Sequence, residues 1–287
     1  MAALSSPDHN APVDHALQGA RILITKPTGS SGQRDVLATA IEREGGEAIL
    51  FPAMEIVPLP CPKALPSLKE EVGQADVMIF CSPNAVDHMA ASMPGLLSVM
   101  SCRLIAIGAA TCERLRVVGF QQIIVGPQMR TEGALLLPQL DQEHINNQRV
   151  IIVRGKGGRP LLGDELTRRG ALVSYLEVYE RRCPSIPLEQ IHAIWGDDQP
   201  LHLATATSPE IFDNLLSLMP TRKLRDRLLR LPFLVLSKNT ADHARRLRYH
   251  GPMVLSPDPM PGSMLETMRS WWQQNKNILS RKKGKRR

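Results

Sequence analysis

The chain repeats itself over nearly half its length. Residues 21–27 (RILITKP) return at 149–155 (RVIIVRG), and 82–86 (SPNAV) return at 208–212 (SPEIF). Residues 106–111 (AIGAAT) return at 235–240 (VLSKNT), and 125–127 (VGP) at 255–257 (LSP). The matches run in order at nearly one offset. That period is far above the about 20 to 50 residues of solenoid repeats. It implies two similar domains, with a ligand site where they face each other. A chain of 287 residues has room for two domains of ordinary size.

Strands alternate with helices along both copies. Arg21 to Thr25 reads as a buried strand, Gly29 to Gly32 as a turn, and Gln33 to Glu44 as a helix with Val36, Leu37, Ala40 and Ile41 on one face. Gly45-Gly46 stops it, and Ala48 to Phe51 is a second strand. Copy two repeats this with a strand at 150–153, a helix at 161–168 and a strand at 172–175. Further strands are predicted at 76–80, 104–107 and 123–125, and at 201–204, 233–236 and 253–255. Helices open at Ser82-Pro83 and at Thr111, and Thr131 to Leu137 is another. Such alternation argues for parallel sheets covered on both faces. Met54 to Pro58 and Leu176 to Glu180 alternate apolar and polar residues with no helix directly after them. They read as paired strands running between domains, so one domain joins the N-terminal segment to the C-terminal half. The expected boundaries are 19–53 plus 184–275 for the first domain and 60–174 for the second. Residues 54–59 and 175–183 are the linker strands.

The charge is unevenly placed. Of the net +7, residues 281–287 carry six positive charges, so the remainder is nearly neutral. No aromatic residues interleave them as nucleic-acid platforms require, so nucleic acid is not an expected partner. The tail (276–287) and the leader (1–18) read as solvated, disordered ends, with Trp271-Trp272 closing the last helix. The leader has no cationic start followed by an apolar run, and no stretch is apolar enough to span a bilayer. The five cysteines form no C-x-x-C pair, which suits free thiols in a reducing, cytoplasmic setting. The eight histidines lack metal-ligand spacing, and no phosphate or dinucleotide loop is present. Neither a metal nor a cofactor is indicated.

What chemistry remains lies at strand-to-helix turns. Ser82 and Ser208 precede prolines, the pattern of an N-cap followed by a first helical residue. Amides of a helix's first turn bind anions. Thr111 and Thr240 mark the other such turns, and Lys26 and Arg154 end the first strand of each copy. In parallel sheets these turns gather at the carboxyl ends of the strands. Tyr179, on an expected linker strand, offers a hydroxyl as a proton donor. A tyrosine packed against a domain surface would look the same.

The chain resembles the uroporphyrinogen-III synthase family. The resemblance rests on Thr25-Lys26-Pro27, Phe80 to Val86, Ala106-Ile107-Gly108 with Thr111, and Val153-Arg154-Gly155 with Gly158. It continues through Leu176 to Tyr179, Thr207-Ser208-Pro209, and Ser237 with Thr240-Ala241. Lys26 stands where arginine is common and Cys81 where threonine is common. The resemblance implies two flavodoxin-like three-layer α/β domains joined by a two-stranded antiparallel ladder, in a monomer without cofactor or metal. It implies a substrate, hydroxymethylbilane, with eight carboxylates. The enzyme expels the terminal hydroxyl as water, inverts ring D through a spiro intermediate and closes the type III macrocycle. Uncatalysed closure gives type I. By resemblance Tyr179 is the acid. Lys26, Ser82, Asn84, Gly108, Thr111, Arg154, Ser208, Ser237, Lys238 and Thr240 hold substrate. Transient contact with the preceding pathway enzyme is a further expectation. The alternative is a non-catalytic bilobal polycarboxylate-binding or regulatory homologue.

Overall fold

A computed structural model describes residues 15–27, 35–60, 65–93, 95, 100–126, 131–196 and 200–284. The chain divides into two compact units, one of Met1–Glu55 with Cys183–Arg287 and one of Ile56–Arg182. In chain order the first unit begins with β1 (Arg21–Ile24), α1 (Val36–Arg43) and β2 (Glu47–Leu50). Then β3 (Glu55–Pro58) leads into the second unit. There follow α2 (Leu65–Gly73), β4 (Val77–Phe80), α3 (Pro83–Ser92), β5 (Arg103–Ala106), α4 (Ala109–Val117) and β6 (Ile123–Val125). The second unit continues with α5 (Thr131–Ala134), α6 (Gln142–Ile145), β7 (Arg149–Gly155), α7 (Leu161–Arg168) and β8 (Leu172–Arg182). The chain re-enters the first unit with α8 (Leu188–Trp195), β9 (Leu203–Ala206), α9 (Pro209–Leu218) and α10 (Arg222–Leu228). It closes with β10 (Phe233–Val235), α11 (Lys238–Arg246), β11 (Met253–Leu255) and α12 (Pro261–Gly284).

The sequence repeat becomes a repeat of strand order. The first unit's sheet runs β11-β10-β9-β1-β2, and the second's runs β6-β5-β4-β7-β8 with β3 added at the edge. The ladders within these two five-strand sets are parallel. The first unit follows the doubly wound 2-1-3-4-5 order, and the second does so when counted along the repeat, from β7 and β8 to β4, β5 and β6, with the switch point beside the first strand of each. Here those points are β1/β9 and β7/β4. Each unit takes two strands from one sequence copy and three from the other. The repeat boundary therefore does not coincide with a fold boundary.

Strand period explains the layering. In β4, Val77 and Ile79 enter one cluster with Leu162 and Leu166 of α7, while Met78 and Phe80 enter another with Ala85, Val86 and Met89 of α3. Successive side chains point to opposite faces, so a strand covered on both faces is apolar throughout. In the first unit, Leu37 and Ile41 of α1 meet Met264, Met268, Trp271 and Trp272 of α12 against β1. Each fully buried Ile, Leu or Met here stabilises by about 1.5–3 kcal/mol. Arg269 of α12 holds the buried Glu44 with both carboxylate oxygens, at 2.8 and 2.7 Å from its Nε.

Several expectations need correction. Residues 175–182 are no separate strand but continue β8, whose ladder with β7 runs on to Tyr179, and Cys183 lies just past its end. β3 lies beside it at the sheet edge, with the Leu59 amide donating to the Val178 carbonyl at 3.1 Å. The leader's last residues are ordered: Leu17 is fully buried, and its amide donates to the Glu44 carbonyl at 3.0 Å. The last helix does not stop at Trp272 but runs on to Gly284, since nothing between them breaks it. Helices α8 and α10 had no sequence assignment. The expected 29–32 turn and residues 285–287 lie outside the described residues.

Candidate active site

Four helices begin at the carboxyl ends of parallel strands, two in each unit. Ser82 caps α3, its extended backbone (φ −163°, ψ 160°) letting Oγ accept from the Ala85 amide at 3.1 Å. Ser208 caps α9 in the same way, accepting from Ile211 at 3.3 Å. Pro83 and Pro209 then fill the first helical position, where a missing N–H costs nothing. Ser237 caps α11, accepting from Thr240 at 3.1 Å. Gly108 starts α4 with no side-chain cap, so that helix's first-turn amides have no side chain serving them.

The two threonines do not open their helices, as the sequence reading had it for Thr111. Each lies at the third helical position and is buried, and the Thr240 hydroxyl lies 2.9 Å from the Ser237 Oγ. Asn84 and Lys238, by contrast, are exposed on their first turns. The turns also differ in charge. Glu210 lies in the first turn of α9, while α3, α4 and α11 have no acid there. An acid stabilises a helix start but repels a second anion. By charge alone the α3, α4 and α11 turns suit an anion better than the α9 turn.

The paired cations are engaged within their own units. Lys26 Nζ lies 2.9 Å from Asp35, whose other oxygen caps α1 through the Leu37 and Ala38 amides. Arg154 bonds Glu177 at 3.1 Å and the carbonyls of Gly158 and Arg159 at 3.1 and 3.3 Å. Its guanidinium also stacks over the Tyr175 ring at 3.7 Å. Arg154 thus organises the loop after β7, and only its buried Nε lacks a partner among the described residues. Beside it, burial pushes the Cys81 thiol up to about 12, with Arg154 opposing, so it stays protonated and inert.

Tyr179 owes its place to a bulge. Arg154 pairs with Glu177, but the next β7 residue, Gly155, pairs with Tyr179, leaving Val178 as the extra residue. A bulge breaks strict alternation, and both Val178 and Tyr179 enter the cluster that packs on α3. There the phenol is 5% exposed, its ring centroid 5.5 Å from that of His88. Its hydroxyl lies 3.1 Å from the Ser82 Oγ. The Lys156 amide fixes the strand by donating to the Tyr179 carbonyl at 2.8 Å. Tyr179, Ser82 and Arg154 thus gather at the β7/β4 switch point. At β1/β9, the Thr25 hydroxyl donates to the Thr205 carbonyl at 2.6 Å and the Thr25 amide to the Thr205 Oγ1 at 3.1 Å.

Sequence reasoning gave Gly155 and Glu177 only as parts of motifs, with no role, and passed over His88 and Thr205. The residue types were visible, but their roles depend on register across strands and had no local signal. Among the described residues no cluster of three or more His, Cys, Asp or Glu could hold a metal. No helix among them is long and apolar enough to cross a membrane.

Residues 35–266 match the family model described as Uroporphyrinogen-III synthase HemD. The uroporphyrinogen-III synthase of Escherichia coli (strain K12) is 30% identical over 236 residues, covering 79% of this chain and 91% of that protein. That of Salmonella typhimurium is 32% identical over 232 residues, with the same coverage of 79% and 91%. The solved uroporphyrinogen-III synthetase of Helicobacter pylori is similar in fold, with a TM-score of 0.60 at 15% identity over 88% of this chain and 99% of that one.

Proposed function

This chain belongs to the uroporphyrinogen-III synthase family, and from that premise we propose how its residues divide the work. The activity is that of the family, a cyclising lyase of haem biosynthesis, with hydroxymethylbilane as substrate. Such a reaction needs the flexible chain held so that the substituted carbon of ring D attacks the cation left by the departing hydroxyl, which is positioning. It also needs a proton for the departing hydroxyl.

We assign that proton to Tyr179. The phenol protonates the terminal hydroxyl, the carbon–oxygen bond breaks, and water leaves. A phenolate and a substrate cation remain. The cation passes through the spiro intermediate, and the proton lost as the macrocycle closes returns to the phenolate. The balance is hydroxymethylbilane to uroporphyrinogen III plus water. The observation that carries this assignment is the Tyr179 hydroxyl seated 3.1 Å from Ser82 at the carboxyl end of β4. Carboxylates are held at the helix starts. Gly108 and Thr111 present the open α4 turn, Ser237, Lys238 and Thr240 the α11 turn, and Asn84 and Ser208 the remaining two. Lys26 contributes positive charge while pairing with Asp35, the cap of α1, and Arg154 while ordering the loop that follows β7.

No observation favours the non-catalytic alternative. A cytoplasmic setting fits the free thiols of the four described cysteines, and the spontaneous closure of the substrate to type I favours brief contact with the enzyme that supplies it. The test is product typing. Tyr179→Phe should lower kcat for type III product about 100- to 10,000-fold, the scale of general-acid effects. A folded Phe variant with wild-type turnover removes Tyr179 from the mechanism.

A further inference from the structure

We propose that Ser82 is a positioning residue: it donates its hydroxyl proton to the Tyr179 oxygen and so leaves the phenolic proton for the substrate. This rests on the reading of Tyr179 as the acid. It gives Ser82 a different task from holding a carboxylate.

The argument is one of hydrogen-bond capacity. A serine hydroxyl has one proton and two acceptor lone pairs. The Ala85 amide occupies one lone pair at 3.1 Å. The remaining partner is the Tyr179 hydroxyl at 3.1 Å, and either oxygen could supply the proton between them. Were the phenol the donor, its proton would be directed at Ser82 and not at substrate. Either arrangement leaves one proton without an acceptor among the described residues, the serine's in that case and the phenol's in the other, and only the second leaves it on the acid. With Ser82 as donor, every capacity of its hydroxyl but one lone pair is used, and the phenolic proton is free. The same bond then points a donor at the oxygen on which negative charge develops when that proton leaves. Fixed donors of this kind stabilise a developing anion without reorganising.

Ser82 is fixed for the task. Its backbone is extended, its Oγ is tied to the α3 turn, and Pro83 follows it directly. Ser208 has the same cap in the first unit, with Oγ 3.3 Å from the Ile211 amide, and no phenol beside it among the described residues. The arrangement at Ser82 therefore exceeds what capping requires. A carboxylate would need the one proton that Ser82 has, and that proton is directed to Tyr179.

The test is steady-state kinetics of type III formation by Ser82→Ala, Ser82→Gly, Ser82→Thr, Tyr179→Phe and the Ser82→Ala/Tyr179→Phe double variant. Glycine keeps most of a cap's stability, so Ser82→Gly separates the hydroxyl's role from the fold's. Ser82→Ala and Ser82→Gly should each lower kcat about 10-fold with KM nearly unchanged, and Ser82→Thr should restore it. The double variant should be no slower than Tyr179→Phe, because the serine acts through the phenol. Multiplying losses in the double variant would overturn the proposal. So would a raised KM at unchanged kcat, which would make Ser82 a carboxylate receptor. Wild-type kcat from Tyr179→Phe would instead overturn the underlying assignment, and does so without reference to Ser82.

Discussion

Gly155 and Tyr179 approach so closely across β7 and β8 that a Cβ on the glycine would lie 2.6 Å from the tyrosine ring. The glycine is needed for space. Its φ is not among the positive ones, so alanine would meet no backbone strain there, only the ring. Gly155→Ala should displace the phenol from Ser82 and lower kcat by up to about 100- to 10,000-fold, the range for loss of the acid. The melting temperature should fall too, since overpacking costs about 1–3 kcal/mol. Pairing the substitution with Tyr179→Phe separates the two effects. In that background Gly155→Ala should cost no further kcat. A further large fall would mean that the glycine serves the loop after β7 and not the phenol.

The α11 turn offers a test of the anion receptors. Lys238 is exposed at its first position, and no acid shares the turn. Lys238→Glu removes one favourable charge and adds a repulsive one next to the free amides. Each such charge is worth about 0.3–1 kcal/mol near a helix end, so KM should rise about 3- to 30-fold. The rise should shrink as salt is added, because exposed charges are screened. An unchanged KM at low salt would remove the α11 turn from the substrate site.

Glu165 provides a pH prediction independent of catalysis. Hydrogen bonds from Arg168 and then Arg169 hold its carboxyl down at about 2. A depressed folded value means stability that is present above the ordinary carboxylate range and lost as pH falls toward 2. Glu165→Gln should therefore melt lower than wild type at neutral pH. The gap should close between about pH 4.5 and pH 2, the interval set by the unfolded and folded values. Arg168 is exposed while Glu165 and Arg169 are half-buried, so the neutral-pH gap should be modest and should narrow in high salt. A gap independent of pH would place the effect in packing of α7.

The repeat, the alternation of strand and helix and the capping serines were legible because each is a local pattern of residue types. Val77 to Phe80 could only be a strand covered on both faces, and Ser82-Pro83 could only start a helix well. Tyr179 was legible as a candidate and not as a site. Its burial depends on Val178 being skipped in the pairing with β7, and a bulge leaves no mark in the residues themselves. The pairings Lys26–Asp35 and Arg154–Glu177 were hidden for a similar reason: each joins residues distant in sequence. Thr111 and Thr240 were displaced by three positions because the glycine at 108 and the serine at 237 are also good caps, and only backbone geometry decides between them. The last helix outran its expected end because no glycine or proline follows Trp272 until Gly284.

The disagreement between repeat and fold can itself be tested. Residues 56–182 contain the full β6-β5-β4-β7-β8 sheet, with β3 at its edge. Excised, this segment should fold alone, melt cooperatively and bury the same two clusters about β4. A fragment cut at the repeat boundary, 1–148, holds β1 to β6 but lacks β7 and β8. Its β4 then loses the neighbour that pairs with it through Val77, Met78, Ile79 and Phe80. The one escape is for β1 to take the place of β7, its counterpart in the repeat. That requires Ile22, Leu23 and Ile24 to fill the spaces left by Val150, Ile151, Ile152 and Val153, a change of volume on both faces of a close-packed sheet. It also leaves the buried Thr25, which the second unit offers no Thr205 to satisfy, at a cost of about 1–3 kcal/mol. The 1–148 fragment should therefore be unfolded or aggregated where 56–182 is folded, as read by circular dichroism and amide exchange. Cooperative folding of 1–148 as a monomer would show that the two copies are still interchangeable, and that the packing about β4 does not choose between them.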